Sequence, residues 1–192
     1  MTRLPLLPLA LLVSGASATA QGWDETGPWY VGFGVGIPSI SESEGFEPDE
    51  GFAVSGTIGY QLGRSGDGRF NLALEAEYYY AENDVDDFPI AFGLTAEDLE
   101  TNAIFANLVG DWYWTDSISF YVGAGVGFAE VDLFSASDDG GAFQGKAGLR
   151  YHLGGGFSWS LGYRYLMTED IEDADDFENI HNVVETGLRW EL

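Results

Sequence analysis

Cysteine is absent from the 192 residues. That excludes a disulfide framework, a thiolate metal site, a cysteine nucleophile and a lipid-bearing cysteine. Bases are scarce: 7 Lys and Arg stand against 32 Asp and Glu, for a formal net charge of −25. Nucleic acid is not a partner of such a chain, because phosphates need Lys and Arg for neutralisation. Histidine is limited to His152 and His181. No stretch offers the roughly 20 apolar residues that a spanning helix requires. Intrinsic disorder does not fit either, since 45% of the residues are hydrophobic and 15% aromatic. The length suits one domain.

What is present begins with an address. Arg3 is the only charge before Asp24, about ten mostly apolar residues run from Leu4 to Val13, and small residues end in Ala18-Thr19-Ala20. This is the pattern of a secretory signal peptide over residues 1–20, with cleavage expected between Ala20 and Gln21. Residues 21–28 then form a short N-terminal periplasmic segment, and 29–192 the folded domain.

From Trp29 the chain is written with a period of two. Trp29, Val31, Phe33, Val35 and Ile37 alternate with mostly glycine, which places one apolar face against one small or polar face. The alternation recurs seven times, for example as Phe70, Leu72, Leu74 and Tyr78 opposite Asn71, Glu75 and Glu77, or Leu188, Trp190 and Leu192 opposite Arg189 and Glu191. Eight strands of about ten residues result. Long connectors near 38–51, 81–101, 130–141 and 168–180 alternate with short ones near 63–69, 115–117 and 153–156. An even count of strands with alternating long and short links predicts an all-β, eight-stranded antiparallel up-and-down transmembrane β-barrel, long loops outside and short turns in the periplasm.

Two further patterns point the same way. Trp29, Tyr60, Phe70, Trp112, Trp114, Phe120, Tyr151, Phe157, Trp159 and Trp190 gather at the expected periplasmic ends, where an interfacial aromatic belt belongs. The four long connectors hold 23 of the 32 acids and none of the bases. Within strands, Lys146, Arg150, Arg164 and Arg189 share the inward face with Glu75, Glu77, Asp111 and Glu185. An eight-stranded barrel is just wide enough for side chains to fill it, so these eight are expected to form a lumen charge network.

Particular strands carry a resemblance. Phe120-Tyr121-Val122-Gly123-Ala124-Gly125-Val126-Gly127-Phe128 resembles the Y-x-G-x-G-x-G strand of the opacity-type outer-membrane barrels. Gly148-Leu149-Arg150-Tyr151 and Leu161-Gly162-Tyr163-Arg164-Tyr165 are similar to the strands that come after it there. The wider group includes the small OmpA/OmpX-type barrels. The resemblance implies location in the cell outer membrane of a Gram-negative bacterium, and surface adhesion, envelope integrity or no assigned role. Its partners would be outer-membrane lipid, lipopolysaccharide, an unidentified surface partner, and the assembly machinery acting on the C-terminal strand. Such barrels often end in Phe, where this chain has Leu192, although Leu188, Trp190 and Leu192 keep the alternation.

Candidate chemistry is sparse. The glycine runs Gly32-x-Gly34-x-Gly36 and Gly123-x-Gly125-x-Gly127 have strict spacing of two and no helix after them, unlike a dinucleotide loop. They are read as small inward residues beside bulky ones. Neither histidine sits in a His-x-Ser arrangement, and Ser158 and Ser160 fall on the periplasmic half of their strand. No catalytic residue is therefore assigned. Asp84, Asp86 and Asp87, with Glu172, Asp173, Asp175 and Asp176, offer oxygen ligands for weak divalent sites. Their spacing fits no EF-hand, and a solvated, self-repelling loop is the plainer account. No cofactor is expected beyond loosely bound Ca²⁺ or Mg²⁺. The function predicted is a structural or surface-interaction barrel presenting acidic extracellular loops; the alternatives are a lipid A-modifying enzyme and a narrow channel.

Overall fold

Alternating large and small side chains cannot bury both faces of a lone strand, so the chain closes its strands on one another. The computed structural model describes residues 28–40, 51–83, 99–133, 136–168 and 180–192. Its eight strands are, in chain order, β1 (Trp29–Ile40), β2 (Phe52–Arg64), β3 (Phe70–Asn83), β4 (Leu99–Thr115), β5 (Ile118–Leu133), β6 (Ala136–Gly154), β7 (Phe157–Thr168) and β8 (Ile180–Glu191). Each pairs antiparallel with its neighbours in sequence, and β1 pairs with β8 from Tyr30↔Glu191 to Ile40↔His181. Closure removes every sheet edge along the wall. The signal segment 1–20 lies outside the described residues.

The outer face is apolar and the inner face is packed. Phe33, Ile58, Leu74, Leu108, Val122 and Val126 are all exposed. Their strand neighbours Ala73, Glu75, Val109, Tyr121 and Gly123 point inward and are buried. A continuous apolar band this extensive is untenable in water and fits hydrocarbon. Aromatic pairs mark its short-turn edge: Trp29 with Tyr60 at 4.8 Å, Trp114 with Phe120 at 5.6 Å, and Phe157 with Trp190 at 5.5 Å between ring centroids. At the opposite edge Phe52 meets Tyr80 at 6.3 Å, and the Tyr78 hydroxyl donates to Asn102 Oδ1 at 2.7 Å.

The strands are longer than the apolar alternation indicates. They run to 12–19 residues rather than about ten, and the connector expected at 130–141 is mostly strand. There β5 and β6 stay paired as far as Leu133↔Ala136. Inward Ala129 and Val131 remain buried while outward Glu130 is exposed. Above the lipid the outward positions turn acidic, yet the backbone ladder persists. Apolar alternation therefore ends before the strand does.

Each short turn is preceded by a β-bulge, at Gln61/Gly63, Tyr113/Thr115 and His152/Gly154. A bulge adds one residue and re-aims the side chains beyond it. Arg64 consequently pairs with inward-facing Asn71 instead of continuing the outward row of Tyr60 and Leu62. The β6–β7 turn holds Gly154, Gly155 and Gly156 at φ of 88°, 64° and 80°, a run that only glycine adopts without strain. In the β2–β3 turn the Ser65 hydroxyl and the Arg69 N–H both donate to Asp67. Those bonds hold its carboxyl below the usual carboxylate range.

The band predicts a depth-dependent response. Leu108→Arg, at mid-band, is expected to lower unfolding free energy in lipid vesicles by about 2–4 kcal/mol, and Leu62→Arg, beside a turn, by about 0–1 kcal/mol. Urea titration followed by tryptophan fluorescence measures both.

Candidate functional site

Inward polar side chains from six strands converge in the lumen. Strand β3 supplies Glu75 and Glu77, β4 Asn107 and Asp111, β6 Gln144, Lys146 and Arg150, β7 Arg164, and β8 Glu185 and Arg189, while β1 adds Tyr30. The structure brings the eight charged residues named from the sequence into two connected groups. Four are acids and four are bases, so the enclosed set carries no net charge.

The first group centres on Glu77. Lys146 and Arg164 are direct cross-strand neighbours, an arrangement that would repel on its own. Both reach across the lumen to the same carboxylate: Lys146 Nζ lies 2.9 Å from Glu77 Oε2, and Arg164 Nη2 2.5 Å from Oε1. The side-chain amides of Asn107 and Gln144 donate to Oε2 at 2.8 and 2.9 Å. Three donors thus converge on Oε2 and one on Oε1, so both oxygens of the carboxylate are engaged. Lys146 also binds Glu75 at 2.8 Å, and Arg164 binds Glu185 at 2.8 Å. The Tyr30 hydroxyl donates to the remaining Glu75 oxygen at 2.8 Å.

The second group centres on Asp111, which is 0% exposed. Its Oδ1 meets Arg150, and its Oδ2 lies 3.3 Å from Arg189 Nη1. Arg189 reaches Glu191 at 3.1 Å. Three guanidinium groups lie over tyrosine rings: Arg189 on Tyr30 at 3.6 Å, Arg164 on Tyr79 at 4.8 Å and Arg150 on Tyr121 at 4.9 Å. Glycine makes room for two of those rings. A side chain at Gly59 would collide with Tyr30, and one at Gly148 or Gly162 with Tyr121.

Beyond the two groups, the short-turn mouth is filled by a stack. Arg64 lies 4.6 Å over the Tyr113 ring, which is stacked on His152 at 5.0 Å. Both nitrogens of His152 are engaged, Nδ1 with Ser158 Oγ and Nε2 with Ser119 Oγ, each at 3.0 Å. One nitrogen donates and the other accepts. The serines are 2% and 0% exposed. His181 is buried at the other end of the barrel. Among the described residues no group of three or more His, Asp or Glu is arranged to hold a metal ion. Asp84, Asp86, Asp87, Glu172, Asp173, Asp175 and Asp176 lie outside the described residues.

Sequence reasoning missed part of the network. Tyr30, Tyr79, Tyr121, Asn107 and Gln144 share the parity of the inward charges, and that parity was the available signal. The pairing of His152 with Ser119 and Ser158 joins three strands and has no local signature.

The family described as outer membrane protein beta-barrel domain matches residues 8–190. No curated protein matches the chain in sequence. Among solved structures, Neisserial surface protein A is similar at a TM-score of 0.62 and 19% identity, over 88% of this chain and 100% of that one. The N-terminal β-barrel domain of Pseudomonas aeruginosa OprF is similar at 0.52 and 14%, over 88% and 100%. The outer membrane enzyme PagL is similar at 0.52 and 13%, over 85% and 99%. These likenesses concern the fold.

Removing one centre of the network tests its weight. Asp111→Asn leaves two buried guanidinium groups short of a counter-charge and is expected to cost about 3–5 kcal/mol of unfolding free energy in vesicles. Arg64→Ala, at the mouth, is expected to cost about 0.5–1 kcal/mol. Equal effects of the two substitutions would contradict the assignment.

Proposed function

The chain belongs to the outer membrane protein beta-barrel domain family, and from that membership we propose that it is a surface-presenting scaffold without catalytic activity. It acts by holding acidic segments outward on a rigid, filled barrel. Secretion with signal removal after Ala20, kinship with the opacity-type branch, and insertion through the strand ending in Leu188, Trp190 and Leu192 belong to the same reading.

One observation carries it: the outward face at the loop end is built of carboxylates set against each other. Glu82 stands directly opposite Glu100, and Glu100 opposite the Asp132 position. One rung closer to the lipid, Glu130 stands opposite Asp139. Like charges directly across a ladder destabilise a sheet, and all Lys and Arg of the described residues lie in the lumen, at its mouth or in a short turn. A surface that accepts this repulsion suits cations. Loosely held Ca²⁺ or Mg²⁺ between these carboxylates and lipopolysaccharide phosphates, or a cationic surface partner, relieves it.

The rival reading is an enzyme acting on lipid A. Against it, Ser158 and Ser119 are buried beside His152, where a lipid substrate has no room to approach.

Adsorption of cationic cytochrome c to whole cells tests the proposal. Cells displaying Glu82→Gln/Glu100→Gln/Glu130→Gln/Asp139→Asn are expected to bind less than cells displaying the native chain, with the difference vanishing at high salt. Equal binding at low salt would contradict the proposal, and an altered lipid A mass spectrum in a deletion strain would favour the enzyme.

A further inference from the structure

The lumen is not uniform along its length. On the short-turn side lie the two charge groups, and beside them a cavity of about 60 Å³. Ser55, Thr57 and Ser160 line it together with Lys146, Arg164 and Arg189. A water needs roughly 10–15 Å³ of such space and several polar partners, so the cavity suits a cluster of about four to six waters. On the loop side the character changes within one or two inward positions of each strand. Glu77 gives way to Tyr79, Asn107 to Phe105, Arg164 to Leu166, and Glu185 to Val183. These four pack into one buried cluster with alanines from β2 to β6. Strand β1 joins them through Gly36, whose backbone lies against Val183. All eight strands thus contribute to an apolar disc across the barrel, and no member of the disc lines the cavity.

We propose that this disc is the barrier to ions in the barrel, and that the charge groups beneath it stand in a hydrated chamber. An ion crossing ionised or hydroxyl groups keeps polar partners throughout. At the level of Phe105 and Leu166, both at most 1% exposed, the cluster offers only the Tyr79 hydroxyl, with buried His181 opposite Leu166. A constriction so poor in polar groups closes by excluding water. The eight lumen charges cancel one another, whereas on the strands beyond the disc stand Glu82, Glu100, Glu130 and Asp139. A path opened through the disc therefore admits cations in preference to anions. This goes beyond the surface role, which requires a rigid barrel but assigns no residue as its seal.

Planar-bilayer recording of the full chain, refolded in detergent and checked by heat-modifiable gel migration, tests the proposal. The native chain and Glu75→Gln/Lys146→Met, which neutralises one ion pair, are expected to give no conductance steps. Phe105→Ser/Leu166→Ser is expected to give discrete steps with a reversal potential displaced toward the cation equilibrium in a salt gradient. If that double variant fails to fold, Phe105→Ala supplies the same readout. Folded disc variants that stay silent, or steps from the Glu75/Lys146 variant, would overturn the proposal. None of these outcomes bears on cation adsorption at the cell surface.

Discussion

A closed sheet of eight strands leaves a lumen with space for side chains and little else, and every ionised group placed there must find its counter-charge inside. The remaining architecture answers to that constraint. Glu77 meets it most completely, taking Lys146, Arg164, Asn107 and Gln144 on its two oxygens. The adjacent cations on β6 and β7 are tolerable because this one carboxylate lies between them. Inward glycines are the counterpart of the same crowding, since Tyr30 and Tyr121 occupy the volume that side chains at Gly59, Gly148 and Gly162 would take.

The constraint acts on both sides of the wall. Strand periodicity allows only two directions for a side chain, so charges excluded from lipid must enter the lumen or stand beyond the membrane. In this chain they do both. Balanced pairs are inside, and the acid excess is displaced to the loop end, where Glu82, Glu100 and Glu130 face outward above the aromatic edge. The bulge at Gln61/Gly63 is a local instance: it turns Arg64 away from lipid and onto Tyr113 at the mouth. Among the described residues the outward acids of the strands, Glu82, Glu100, Glu130 and Asp139, thus gather at one end of the barrel.

Much of this is legible in the sequence because the period of two is unbroken wherever lipid must be faced. The eight strands and the inward set of Glu75, Glu77, Asp111, Lys146, Arg150, Arg164, Glu185 and Arg189 come from parity, and closure and the short turns from an even strand count with links of alternating length. Less is legible where lipid no longer imposes the pattern. Strands β5 and β6 continue past the membrane with acids outward, and acid-rich sequence looks like loop. Arg64 changes face at a bulge that no residue type announces. The tyrosines beneath the guanidinium groups have inward parity, but amphipathic rings read equally well as interfacial residues. The surface role has a different source of difficulty, since repulsion between paired carboxylates indicates cations without selecting one.

A double-mutant cycle on Glu77→Gln and Arg164→Met, read as unfolding free energy in lipid vesicles, tests most directly whether mutual neutralisation in the lumen sustains the barrel. The two substitutions are expected to be strongly non-additive, with a coupling energy of about 1–3 kcal/mol. Additive effects, with coupling near zero, would contradict the account, because the two groups would then be held by the wall and not by each other.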